Sequence, residues 1–370
     1  MIPLFKPYIP ATFDATATFE RGSLAMSPIC SEFEVATQRY LASPKVLSVN
    51  TFNNALFIAC HILGLRPGDR VVASPMACLA STQPFAFLGI KFIWCDVDPR
   101  SGTLCVESVA TALKAYDVKA VIHNHFAGYA GDIRGIMEIC REYSVPVIND
   151  CIEAFGTKYH GLKQPFFDAD ITIYSGNPVR FLNTVDGALL VIPDDGLRNK
   201  ASLLRDSGID RLRFRDELGE ISADCDISHT ALSATQNSVF ASLGLAQIDK
   251  VDSLISQHRE NASHLTKFLD RELKTTGKDD PNYWVLGGLF SAKREFIKFM
   301  RREGIAVSSV HMRNDLYSVF GDAISFSLTG VDEFSENFVA IPCGWWLSTK
   351  DILQIENGLK KWFFKEVRNV

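Results

Sequence analysis

The chain has 370 residues, 47% hydrophobic and 22% charged, with a mean hydropathy of +0.06. That is globular composition, long enough for one large domain and a smaller one. A net charge of −5 and a pI near 5.9 leave no electrostatic footprint for nucleic acid or an anionic membrane. No window approaches the roughly 20 apolar residues of a membrane helix, and Met1–Pro7 has no charged stretch leading into an apolar run. The expectation is a cytoplasmic protein with no signal peptide, no membrane association and no nucleic-acid partner. Nine cysteines, an odd number without a CxxC pair, read as reduced thiols and not as a metal site or a disulfide framework.

In chain order, Phe33, Ala36, Thr37, Tyr40 and Leu41 predict a helix over Ser31–Leu41. Short apolar runs then predict strands at Lys45–Val49, Arg70–Ala73, Lys91–Cys95, Ala120–His123, Pro146–Asn149, Ile171–Tyr174 and Ala188–Ile192. Gly, Pro or Asp punctuates most of them, and helical segments lie between. Continuous apolar runs joined by helices predict a mostly parallel α/β sheet between helices. Ligands of such sheets sit at the carboxyl ends of the strands. One long amphipathic helix is predicted over Gln247–Leu273, followed by the polar stretch Lys274–Asn282. A strand at Tyr283–Phe290 and helices near Lys293–Glu303 and Lys350–Phe363 complete a smaller C-terminal α+β domain. The expected division is 1–246 and 247–370.

Several motifs stand in a recognisable order. They are Leu65-Arg66-Pro67-Gly68-Asp69-Arg70-Val71-Val72, Gly89 to Asp98 ending in Asp96-Val97-Asp98, and His125-Phe126-Ala127-Gly128. Then come Pro146-Val147-Ile148-Asn149-Asp150-Cys151-Ile152-Glu153-Ala154-Phe155-Gly156, Tyr159-His160-Gly161, and Ile341-Pro342-Cys343-Gly344-Trp345-Trp346. Together they resemble the DegT/StrS family of pyridoxal-phosphate (PLP) dependent nucleotide-sugar aminotransferases. The resemblance covers nearly the whole chain and implies a fold type I, aspartate aminotransferase-like large domain, a homodimer and a nucleotide-sugar ligand. It implies that Asp150 faces the pyridine nitrogen, keeping the ring an electron sink. It also places Ser175, Phe52, Asn53, Cys78, Glu153 and His125 at cofactor-contacting positions. His125 reads equally as a satisfied structural histidine, and capping competes with phosphate contact at Asn53.

The resemblance breaks at the reagent. The family pattern Ser-Phe-x-x-x-Lys-x-x-x-x-x-Glu-Gly-Gly corresponds to Ser175-Gly176-Asn177-Pro178-Val179-Arg180, ending in Asp186-Gly187-Ala188. A guanidinium, with a pKa above about 12, supplies neither an imine nor a neutral base. A dehydratase branch of the family has His at that position, which still titrates near neutrality; Arg does not. Phe52 replaces the glycine of the family's phosphate cradle, Cys78 its ring-stacking aromatic, and Ser233 an asparagine reaching into the other subunit. Arg180 is suited instead to an anion, or to a structural salt bridge with Asp150 or Asp186. Asp186 and Arg313, in His311-Met312-Arg313-Asn314-Asp315, are candidate substrate contacts; a salt-bridged loop is the plainer reading of Arg313. Trp345-Trp346 reads as core ahead of a helix start, with sugar stacking as the alternative. Three readings stay open: a homologue unable to transaminate through a PLP imine, an active aminotransferase or dehydratase holding PLP or its amine form PMP noncovalently, and a non-catalytic or regulatory subunit of an active paralogue.

Overall fold

The computed structural model describes residues 1–43, 45–159, 162–163, 169–275 and 280–367. Its strands are β1 (Val46–Val49), β2 (Arg70–Ala73), β3 (Lys91–Trp94), β4 (Val118–Asn124), β5 (Val147–Asp150), β6 (Lys158–Tyr159), β7 (Leu162–Lys163), β8 (Ile171–Ser175), β9 (Ala188–Val191), β10 (Leu286–Leu289), β11 (Ile324–Ser325) and β12 (Phe338–Ile341). Eight of them form one sheet in the order β1-β9-β8-β5-β4-β2-β3-β11. Only β9 runs against its neighbours; the remaining pairs are parallel. Strands β1, β5, β8 and β9 are buried along their full length. That is why they read as unbroken apolar runs without alternation.

The predicted helix at the chain's start is observed as Pro28–Leu41. The helix Phe52–Ile62 begins where the Thr51 hydroxyl accepts the Asn54 N–H at 3.0 Å. The helix expected over Gln247–Leu273 is observed as Val251–Leu265, while Gln247 and Ile248 end a separate helix, Ser238–Ile248. Apolar positions stay in phase across the break, so periodicity alone misses it. At the junction the Lys250 N–H turns back to the Gln247 carbonyl at 2.7 Å. The second helix ends where the Thr266 hydroxyl takes the carbonyls of Ala262 and Ser263, and Leu269 is already extended. His160-Gly161, and residues 276–279 of the polar stretch, lie outside the described residues.

Two apolar cores result. The larger packs around the eight-stranded sheet. The smaller joins β10 and β12 to the helices Lys293–Arg302 and Thr349–Val367, with Ile2 contributing from the other end of the chain. The chain also crosses back: β11 closes the large sheet beside β3, and Phe320 packs edge-on against Phe92 and Trp94.

Candidate active site

The carboxyl ends of β2, β4, β5 and β8 converge on one buried polar cluster, as parallel α/β topology requires. Asp150 ends β5 and is fully buried. Its Oδ1 accepts the Ile152 N–H at 2.9 Å, while among the described residues Oδ2 makes no hydrogen bond of good geometry. Burial raises the carboxyl to about 6; the Ser81 hydroxyl, short of a hydrogen bond to it, and the Ile152 N–H pull the other way.

Arg180 lies in the connection between the antiparallel strands β8 and β9. That connection is closed by Gly176 N–H to Gly187 O and Thr184 N–H to Gly176 O, both at 2.8 Å. No Cβ would fit at Gly176, which sits 2.1 Å from Thr184 Oγ1 by that measure. Val185, in the same turn, is held at φ +65°. Trp284 pins the loop through its indole N–H to the Val179 carbonyl at 2.8 Å. The guanidinium of Arg180 lies 4.3 Å from the Trp284 ring centroid.

The ion-pair partner of Arg180 is Glu153, not the Asp150 or Asp186 expected from the sequence. Nη1 stands 3.7 Å from Glu153 Oε1, with both side chains buried. Nε and Nη1 make no hydrogen bond. Asp186 turns away, its Oδ1 accepting the Gly187 N–H at 2.7 Å. Glu153 is held at both oxygens: Oε2 accepts the Ala127 N–H at 2.6 Å and Oε1 meets His311 Nε2 at 2.7 Å. Burial alone would raise Glu153, but His311 and Arg180 together hold it below the ordinary carboxylate range.

Cys78 belongs to the same cluster. Burial pushes its thiol up to about 11, reinforced by Glu153 and opposed by Arg180, so it is no nucleophile at neutral pH. Its loop is tied down by Asn314, whose backbone N–H reaches the Pro75 carbonyl and whose side chain reaches Ala77 O and Thr82 Oγ1. His125 has both ring nitrogens committed, Nε2 to Asn149 Oδ1 at 2.8 Å and Nδ1 to the Gly131 N–H at 3.0 Å. Burial lowers it to about 4, so it is a neutral structural ring. Ser175 is buried and its Oγ accepts the Asn177 N–H at 3.2 Å.

Other expected residues lie apart. The Phe52 side chain is buried in the large core, and Asn53 is exposed in the first turn of its helix. Arg313 forks onto Asp315 at 2.8 and 2.7 Å and also pairs with Asp332, so its donors are committed within the chain. Its neighbour His311 enters the site in its place. Trp345 and Trp346 are half-buried. With Trp284 and Lys6 they wall a narrow cleft beside Arg180, of only about 20 Å³. His311 and Trp284 were the residues missed by sequence reasoning. The available signal for His311 was the segment His311-Met312-Arg313-Asn314-Asp315, from which only Arg313 was taken as a candidate.

For PLP, the fit is divided. The orphaned Oδ2 of Asp150 offers what a protonated ring nitrogen requires. Position 180 offers no amine, and its cation is turned to Glu153 and Trp284.

This architecture defines a PLP-transferase-like protein of fold type I. The chain belongs to the DegT/DnrJ/EryC1/StrS aminotransferase family, whose model matches residues 12–360. The family is PLP-dependent. A dTDP-4-dehydro-2,3,6-trideoxy-D-glucose 4-aminotransferase of Saccharopolyspora spinosa is 28% identical over 275 residues, 73% of this chain and 71% of that one. A UDP-4-amino-4,6-dideoxy-N-acetyl-beta-L-altrosamine transaminase of Campylobacter jejuni is 23% identical, with 89% and 88% covered. Among solved structures, a sugar aminotransferase from Micromonospora echinospora superposes with a TM-score of 0.88 at 27% identity, covering 98% of this chain and 100% of that one.

Proposed function

We propose that this chain has kept the family's fold for a nucleotide-linked sugar and has left transamination through a PLP imine. The observation that carries this reading is the buried Arg180–Glu153–His311 cluster at the imine-lysine position. The guanidinium is no amine donor to an aldehyde, and Asp150 beside it is sealed from solvent. The sugar-nucleotide part rests on relatives named for dTDP- and UDP-linked sugars. Apolar side chains standing out of one loop, Leu212, Leu218, Ile221 and Ile227, support a homodimer. Titrating purified protein with PLP tests the reading. It predicts no saturable visible imine band, whereas a stoichiometric imine band that borohydride abolishes, with the adduct trapped on a lysine of the chain, overturns it.

The free Oδ2 of Asp150 favours a second reading, noncovalent PLP or PMP. That reading requires saturable cofactor binding that Asp150→Ala abolishes. Binding indifferent to this substitution removes it.

A further inference from the structure

Resting on the nucleotide-sugar reading, we infer that His311 is the general base and acid of a cofactor-free proton transfer beside the carbonyl of a nucleoside-diphosphate keto-hexose. Arg180 is the cation that steadies the enolate.

Glu153 fixes the imidazole. Its Oε2 is anchored by the Ala127 N–H, so Oε1 presents a stationary acceptor to His311 Nε2 at 2.7 Å. A carboxylate can only accept, so Nε2 is the donor in that contact and Nδ1 is the ring nitrogen left to exchange a proton. Nδ1 makes no hydrogen bond among the described residues, and the His311 side chain is 14% exposed. The ring lies near-parallel to Trp284, 6.4 Å between centroids, and meets Phe126 edge-on at 5.9 Å. Two aromatic neighbours and a buried carboxylate set its orientation. This is the base-plus-orienter arrangement that general catalysis uses.

Arg180 stands against the same Oε1 and the same indole. Its Nε and Nη1 have no acceptor among the described residues and are sealed from solvent, and the guanidinium borders the narrow cleft it shares with Trp284. His311 and the Arg180 cation therefore share one carboxylate oxygen. A keto group adjacent to a C–H bond uses both. The C–H proton passes to His311 Nδ1, and the C–H electron pair forms the enol double bond. The carbonyl oxygen takes the negative charge facing Arg180. Return of the proton restores the ketone, with or without inversion at that carbon. No oxidant or co-reactant enters. Glu153 is a positioning residue in this scheme.

The test is hydrogen exchange in D₂O, without PLP, on dTDP-, UDP- and GDP-4-keto-6-deoxyhexoses. Loss of the proton signals next to the carbonyl is followed by NMR, and binding is read separately by saturation transfer. At least one nucleotide is expected to bind and to exchange above the buffer rate. His311→Gln is expected to keep binding and to lose about 10²–10⁴-fold in exchange rate. His311→Asn serves if the glutamine variant does not fold. Glu153→Gln should lower the maximal rate with little change in half-saturation. Binding with exchange at the buffer rate, or wild-type exchange in a folded His311 variant, overturns the inference alone. Failure of all three nucleotides to bind overturns it together with the reading beneath it.

Discussion

Replacing Arg180 by Met asks whether the buried cation is there for stability. At 3.7 Å from Glu153 Oε1, an effective dielectric of about 20 gives roughly 4–5 kcal/mol of attraction. Contact with the Trp284 ring adds about 1–2 kcal/mol. Against this stand Nε and Nη1, buried without acceptors, at about 1–3 kcal/mol each, and the desolvation of the charge itself, which is several kcal/mol. The terms nearly cancel. In the variant, Glu153 also keeps His311 and the Ala127 N–H. Arg180→Met should therefore change unfolding free energy by no more than about 1.5 kcal/mol in either direction. The internal control is Arg205, equally buried and likewise with an unpartnered Nε, whose Nη1 pairs closely with Glu34 and also donates to the Ser48 carbonyl at 3.0 Å. Arg205→Met should cost about 3–5 kcal/mol, the usual loss from breaking a well-made buried pair. Urea unfolding of both variants at pH 7, read as midpoint times slope, makes the comparison. A loss at Arg180 as large as that at Arg205 refutes the reasoning and makes Arg180 a structural anchor.

Two further substitutions probe the same region. Asp150 titrates at about 6 in the folded chain against about 3.9 unfolded. The protonated fold is favoured, so this contribution is complete below pH 4 and is lost as pH rises through 6. Asp150→Asn should match wild type at pH 4 and exceed it by about 1–3 kcal/mol at pH 8; parallel pH–stability curves would contradict the burial argument. Val185 is β-branched, 44% exposed and held at φ +65°. Left-handed geometry costs an L-residue about 1–2 kcal/mol, and glycine's extra chain entropy returns about half of that. Val185→Gly should raise stability by about 0.5–1 kcal/mol in thermal unfolding, and a loss would mean that the valine side chain has an unrecognised contact.

Much of the large sheet was legible because its strands are buried on both sides, and unbroken apolar runs such as Ile171–Tyr174 leave a plain signature. The break at Asp249–Lys250 was not, because it leaves the helical phase of the apolar residues unchanged. Asp150 was placed correctly at a strand's carboxyl end from motif order alone. From the segment His311–Asp315 only Arg313 was taken as a candidate, because guanidinium chemistry suggests anion binding. Only the fold commits that guanidinium to Asp315 and Asp332.

The absence of an amine at position 180 is settled by residue type, since no folded environment turns a guanidinium into a lysine. Family membership likewise follows from motifs strung in order along the chain. What faces Arg180 was decided only in three dimensions. Glu153 lies 27 residues before it, and His311 approaches that carboxylate from 158 residues away. Such pairs depend on strand ends brought side by side and on rotamers chosen by packing. Neither leaves a mark in local composition or periodicity.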